Sequence, residues 1–476
     1  MYGTICRCLK YAAEVKMEQE KEKTVDEVLE EIFELLKNKK YGAVRDMLLQ
    51  YNAVDIAEFL EEIMEEMGVD RSVVLFRTLP KDVSVEVFAY LPIEDQVSII
   101  NVITDKEVSF IMDELAFDDM IDVLEELPAN VVDKILEKTP KKERKLINTF
   151  LNYPDTCAGS LMTPDYISLQ KDMTVAQALA YIKKEGMDSE TIYTCYVKDM
   201  GRKLLGIVSL RTLVIADDEL PISELMHTDF VQVNVYDDQE EVSEMFKRYG
   251  FLAIPVVDKE DRLVGIITVD DILDVIEEET TEDIERMAGV MDASDKDYLD
   301  MSVWHHVKNR FPWLFLLMCS YVITGGIISS FETVLSKVIS LVAYMPMLMG
   351  TGGNCGSQSA TLIIRGMSVD EIDLSDAIAV AWKEIRVSAV IGIALSSLNF
   401  VRICWIEHQG PLIGITVCGA MLAIVIAAKL IGSMLPMLAK RIGVDPALMA
   451  NPTISSLTDM VSVITYFMMA KVVLGI

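Results

Sequence analysis

Residues 301–476 carry only 11 Lys and Arg and 9 Asp and Glu, separated by long runs of Leu, Ile, Val, Met and Gly. A bilayer-spanning helix needs about 20 mostly apolar residues, and these runs meet that requirement repeatedly. One of them, ALMANPTISSLTDMVSVITY, places a single carboxylate, Asp459, in its middle. A carboxylate at bilayer depth costs roughly 2.5–3.5 kcal/mol on insertion scales, so it is expected to face protein or water and to mark an ion or proton site. At helical spacing Asn451, Ser455, Thr458, Asp459, Ser462, Thr465 and Tyr466 share one face, with apolar side chains elsewhere. The hydroxyls alone suit helix–helix hydrogen bonding equally well; Asp459 does not.

Five spans are expected, at about 312–334, 338–365, 386–404, 411–438 and 447–474. Lys308, Arg310, Arg365, Lys383, Arg386, Lys440 and Arg441 flank one side, and Lys337, Arg402 and Lys471 the other. The excess of bases then puts the N-terminal 300 residues in the cytoplasm and the C-terminus outside a plasma membrane. Lys429, inside the fourth span, reads as snorkelling or as lining a polar interface. In the second span, YMPMLMGTGGNCGSQSATLIIRG packs Gly350, Gly352, Gly353 and Gly356 into seven residues. Each glycine costs roughly 1 kcal/mol against alanine in a helix, so the cluster needs a reason. Close helix packing is one. The other is backbone carbonyls bared to a pore, with Asn354, Ser357, Gln358 and Ser359 adding oxygen.

The first 300 residues carry a net charge of −34 and the remainder +2, giving the −32 of the whole chain. That front repels nucleic acid and anionic lipid and attracts cations. Eight scattered cysteines and four histidines form no paired motif, which fits free thiols in a reducing cytosol and makes a zinc site unexpected. Residues 1–23 carry no legible function and are expected to be poorly ordered, with Met17 a candidate start. From 24 to 153 the pattern is helical, punctuated by Pro80, Pro92, Pro128 and Pro140, each expected to mark a helix start in a solenoid-like layer. There FDDMIDVLEELP sets Asp118 and Asp122 on one helical face.

From 158 to 276 the chain approximately repeats itself: Met162 is matched by Met226 at an offset of 64 residues and Gly206 by Gly265 at 59. Each copy reads strand, helix, two β-rich runs and a closing helix, an α/β module. The copies resemble tandem CBS domains, small regulatory modules that commonly bind adenine nucleotides. Thr268 and Asp271 match the Thr-x-x-Asp pattern that holds phosphate and ribose in such domains. In the first copy Ser209 is followed by Thr212 at the same spacing, so the ribose carboxylate is missing. The second copy runs into an acidic helix, with twelve carboxylates against Lys259 and Arg262 between Asp258 and Glu285. Asp270, Asp274, Glu277 and Glu278 share a face, which Glu282 and Glu285 resume. Divalent cations remove the repulsion of such a stripe from another acidic surface.

Oxygen ligands, one acid and no His or Cys constellation point to a hard cation. One Asp459 per chain is too little charge for a divalent ion, whereas two copies across a C2 axis match it. No nucleophile with acid–base partners stands out, so an enzyme is not expected. PMLMGTGGNCGSQSATLIIRG, DPALMANPTISSLTDM, the paired CBS units and the helical acidic front together resemble the MgtE family of magnesium channels and transporters. The resemblance implies a Mg²⁺-selective homodimer in the bilayer, with a pore from the second and fifth spans. In it Asp459, Asn451, Ser455, Gly352, Gly353 and Asn354 would meet the ion. It also implies a plug helix after the CBS pair and closure by cytosolic Mg²⁺ at Asp118, Asp122, Asp270, Asp274, Glu277, Glu278, Glu282 and Glu285, with ATP a further ligand at Thr268 and Asp271. Cys355 stands where the resemblance implies a small polar residue, a mild departure. The expected divisions are a helical N domain (24–153), CBS domains (154–222 and 223–278), a plug helix (279–311) and a five-helix pore domain (312–476). Transport of Mn²⁺ or Co²⁺, proton-coupled exchange, or a nucleotide-sensing membrane protein are the competing readings.

Overall fold

The computed structural model describes residues 25–187, 189–291, 298–299, 301–369, 371–449 and 451–475. The expected first segment, 1–23, lies outside the described residues, as does the side chain of Asn451. The chain divides between Val275 and Ile276 into two compact units.

The first unit begins with ten helices among the described residues, α1 (Val25–Lys37) to α10 (Lys141–Phe150). Pro80, Pro92, Pro128 and Pro140 each stand immediately before a helix, at α5 (Lys81–Ala89), α6 (Ile93–Val102), α9 (Ala129–Lys138) and α10. Their locked φ suits the N-cap, where no amide hydrogen is needed. Between them, α7 (Asp105–Glu114) is opened by Thr104 in a capping box with Glu107. Helices two apart pack on one another, α3 (Ala53–Met67) on α5 and α6 on α8 (Phe117–Glu126), as in a layered solenoid. Ile63, Leu75, Phe88, Ile99 and Ile121 lie in the resulting core.

The α/β repeat follows. The first copy has β1 (Tyr166–Gln170), α11 (Val175–Glu185), β2 (Thr191–Lys198), β3 (Leu204–Ser209) and α12 (Leu210–Ile215). The short α13 (Ile222–Leu225) leads into the second copy: β4 (Val233–Asn234), α14 (Gln239–Tyr249), β5 (Ala253–Val257), β6 (Leu263–Thr268) and α15 (Val269–Ala288). Each sheet is three-stranded, a parallel pair joined to an antiparallel one. Strand β5 is buried along its whole length and so reads as a continuous apolar run. Bridges Thr163↔Ile266 and Ile207↔His227 tie the copies together.

The second unit is helical: α16 (Val303–Ser330), α17 (Glu332–Lys337), α18 (Met345–Ser368), α19 (Ala377–Val401), α20 (Pro411–Arg441) and α21 (Asn451–Leu474). Four segments are long and apolar enough to cross a membrane among the described residues: 303–330, 374–406, 411–441 and 446–474. The expected second span is α18. Its Gly, Ser, Asn and Gln residues keep it out of that set, although 24 residues rise about 36 Å. Two expected boundaries move. Helix α16 starts at Val303 and carries Pro312 inside, and α19 starts at Ala377, so Lys383, Glu384 and Arg386 lie within the helix and do not flank it. A proline inside such a helix is tolerated where neighbouring groups satisfy the freed carbonyl.

Helix α18 packs against both α20 and α21, and α20 also against α19. The closest passage is between α18 and α20, where a Cβ on Gly432 would collide with the Gly356 carbonyl. A Cβ on Gly350 would meet nothing within 4 Å. Gly432→Ala is therefore expected to destabilise by about 1–3 kcal/mol or to abolish folding, whereas Gly350→Ala gains up to about 1 kcal/mol of helix propensity. Thermal unfolding of the two variants in detergent separates them.

Candidate ion and regulatory sites

Asp459 lies half-buried near the middle of α21. One turn earlier Ser455 approaches α18, 3.4 Å from where a Cβ on Gly353 would stand. One turn later Ser462 Oγ would be 2.6 Å from a Cβ on Gly352. A Cβ on Gly356 would be 2.7 Å from Ile454 Cγ2. Gly352 and Gly356 thus let α18 press against α21, which is the packing explanation of the glycine cluster. Asn354 and Gln358 are exposed.

The polar face of α21 divides between two uses. Thr458, Ser462 and Tyr466 are buried. Thr458 Oγ1 donates to the Ile454 carbonyl at 2.8 Å, and Tyr466 Oη to the Leu341 carbonyl at 3.0 Å. Ser462 Oγ is buried without a hydrogen-bond partner beside Gly352. Asp459 and Ser455 remain partly open. This arrangement offers an anionic oxygen and one hydroxyl, both partly accessible. Such a set suits a cation that keeps part of its hydration shell.

A second grouping lies in the first unit. Asp118, half-buried near the start of α8, has Oδ1 buried without a hydrogen-bond partner. Burial, with the charges of Asp271, Asp119 and Glu190, pushes its carboxyl up to about 8. Burial lifts Asp271 to about 7 despite the hydroxyl of Thr268, which donates to Asp271 Oδ2 at 2.6 Å. Burial and Asp270 lift Asp119 to about 6, and burial, Asp270, Asp119 and Asp165 raise Glu190. Asp122 is exposed on the same helix as Asp118, and the inward partner is the neighbouring Asp119. Asp119 and Glu190 carried no sequence signal beyond their charge, because the grouping depends on how α8 meets the start of α15. Among the described residues no three His, Cys, Asp or Glu side chains converge as a ready metal site.

Asp274 belongs to the first unit, while Glu277, Glu278, Glu282 and Glu285 continue α15 in the second. Glu277 and Glu278 are exposed, and Glu282 and Glu285 half-buried. Arg286 pairs with Glu282 and with Asp445, 2.8 Å away, which ties this end of α15 to the turn before α21. Burial raises Glu282, Arg286 pulls it back, and Glu279, Asp445 and Asp283 raise it further. Asp445 was not singled out in the sequence, although it opens the DPALMANP stretch.

Thr268 and Asp271 therefore stand among carboxylates, an unfavourable setting for phosphate. A cavity of about 780 Å³ lies at the first copy's Ser209 and Arg211 and reaches Asp229, Phe230 and Leu252 of the second. Tyr196 lines it, with its Oη buried and unpartnered.

The sequence model of the MgtE divalent cation transporter matches residues 345–469, that of the MgtE intracellular N domain residues 51–156, and that of the CBS domain residues 158–219 and 222–278. The magnesium transporter MgtE of Thermus thermophilus is 40% identical over 336 residues, 70% of this chain and 73% of that one. The chain belongs to the MgtE family. The Bacillus subtilis magnesium transporter MgtE is 36% identical over 334 residues, again 70% of this chain and 73% of that one. A crystal structure of the cytosolic domain of the Mg²⁺ channel MgtE in complex with ATP aligns over 51% of this chain and 98% of that one, at 33% identity and a TM-score of 0.48. The MgtE transporter match contains α18, α19, α20 and nearly all of α21, so Asp459 and the glycine cluster fall inside it.

The acidic grouping of the first unit has a pH consequence. Carboxyls whose folded pKa lies above the unfolded value stabilise the fold at low pH, and that contribution is lost as pH rises through the folded value. Without divalent ions, stability should fall from about pH 4, the ordinary aspartate value, to about pH 8, following Asp271 at about 7 and Asp118 at about 8. Added Mg²⁺ should raise the unfolding temperature more at pH 8 than at pH 6, since protons compete for the same oxygens. Asp118→Asn should flatten both dependences, as read by thermal unfolding with and without Mg²⁺.

Proposed function

We propose that this chain carries Mg²⁺ across the plasma membrane as a homodimer. In this reading α18 and α21 line the path, and the two copies of Asp459 match the charge of the ion. The observation that carries it is the half-buried carboxylate of Asp459, on a helix pressed against the glycine-rich α18 within the segment that matches the family's transporter model. The relatives named magnesium transporters support Mg²⁺ as the cargo. So does the chemistry: oxygens, water and modest charge suit an ion that dehydrates reluctantly. Ser455, Gly352, Gly353, Asn354 and Asn451 contribute oxygen or room along the path. The N-terminal 300 residues face the cytoplasm and the C-terminus the outside, in keeping with the basic flanks. The work is transport and not catalysis.

Cytosolic Mg²⁺ then regulates its own entry. When it is scarce, repulsion among Asp118, Asp119, Asp270 and Asp271, with Asp122 and Asp274 nearby on their helices, loosens the helical domain from the CBS pair. Repulsion along Glu277, Glu278, Glu282 and Glu285 strains the plug helix in the same way. When Mg²⁺ is abundant, bridging ions favour the compact, closed state. An adenine nucleotide is a further ligand, and the cavity at Ser209 and Arg211, with its unpartnered Tyr196 hydroxyl, favours the first CBS copy for it over Thr268 and Asp271.

Purified protein in liposomes should take up Mg²⁺, and Asp459→Asn should reduce uptake at least about tenfold, the scale of losing one desolvated charge interaction of roughly 1.4 kcal/mol. Mn²⁺ and Co²⁺ competition measures selectivity, and independent control of voltage and the proton gradient separates a channel from an exchanger. Uptake unchanged by Asp459→Asn would refute the assignment of the path.

A further inference from the structure

We propose that Lys429 and Glu384, joined through Ser359, are positioning residues that fix the register of α18 and thereby its discrimination between ions; this rests on the transport reading above. Lys429 does not snorkel. It is 4% exposed in the middle of α20, Glu384 is 9% exposed on α19, and Ser359 on α18 is fully buried. Lys429 Nζ donates to Ser359 Oγ at 3.1 Å, and Ser359 Oγ donates to Glu384 Oε2 at 2.7 Å. Lys429 Nζ and Glu384 Oε2 are 3.8 Å apart. One hydroxyl thus accepts from one helix and donates to another, and three helices meet at a single point.

A buried ion pair seldom stabilises a fold more than apolar residues of the same volume, and its best-attested use is to fix register. The placement here suits that use. Ser359 follows Gly356 by three residues and Lys429 precedes Gly432 by three, so the charged pair sits one turn from the Gly356–Gly432 passage. Ser359 also follows Gly352 by seven residues, on the face that meets Ser462 of α21. A slip of α18 by one residue would break both hydrogen bonds of Ser359. In one direction the same slip would also bring Thr351 in place of Gly352 against Ser462. Apolar contacts alone tolerate small slips; a three-membered charged chain in a dry interior does not. The spacing of α18 and α21 beside Asp459 is thereby held to one value, and an aperture of fixed size separates a small, hydrated cation from a larger one.

The test uses full-length protein in liposomes, with Mg²⁺ uptake measured against Ca²⁺ as competitor and thermal unfolding measured in detergent. Ser359→Ala keeps both charges and removes the bridge. The double variant Lys429→Met, Glu384→Gln removes both charges at similar volume. Each is expected to unfold near the parent temperature yet to show a raised KM for Mg²⁺ and inhibition by about tenfold less Ca²⁺, with the maximal rate changed less than KM. Either variant, folded and with the parent's KM and Ca²⁺ sensitivity, would overturn the proposal and leave the pair a folding element only. Should the double variant fail to fold, Ser359→Ala decides alone. A parent that carries no Mg²⁺ would refute the transport reading instead.

Discussion

Like charges held together in a partly dry environment repel strongly, and only a proton or a cation relieves them. The carboxyls of Asp118, Asp119 and Asp271 lie under that constraint: burial and mutual charge push them to about 8, 6 and 7. A chain that retains such an arrangement at neutral pH pays in stability unless a cation compensates. In the proposed reading that cation is Mg²⁺, and the same ion is the cargo that passes Asp459. The two halves of the molecule then respond to one ligand at different depths: dilute charge with room for water in the membrane, and concentrated charge outside it.

The closing step has a magnitude. Moving a gate from mostly open to mostly closed needs about 5.5 kcal/mol of differential binding. One surface carboxylate pair supplies well under that. In the proposed gating, several ions bound across the grouping around Asp118 and along Glu277 to Glu285 would reach it together. Arg286, bound to Glu282 and Asp445, already satisfies part of the plug helix with a fixed cation, so the carboxylates left for Mg²⁺ there are fewer than the stripe suggests.

Asp459 was legible in the sequence because a charge in an apolar run has no cheap structural explanation. The helix starts after Pro80, Pro92, Pro128 and Pro140 were legible for a similarly local reason. The CBS repeat was legible in its offsets, but the surroundings of its Thr268 and Asp271 pattern were not. The Thr268 and Asp271 pattern is local, whereas the carboxylates that surround it come also from α8 and from Glu190 before β2, and a cavity opens beside Ser209 and Arg211. Glu384 was hidden because Lys383 and Arg386 made its neighbourhood look like a flank outside the membrane. Lys429 was visible without its partner. Gly432 gave no signal at all, since its closeness to Gly356 exists only once α18 and α20 cross.

The most direct measurement is Mg²⁺ flux as a function of Mg²⁺ on the side that bears the N-terminal domains, at fixed voltage and fixed driving gradient, in protein of uniform orientation. The account predicts that flux falls steeply and cooperatively as that Mg²⁺ rises, and that neutralising Asp274 and Glu282 together shifts the fall to higher Mg²⁺. Flux indifferent to Mg²⁺ on that side, or a fall unchanged by the two neutralisations, would contradict it.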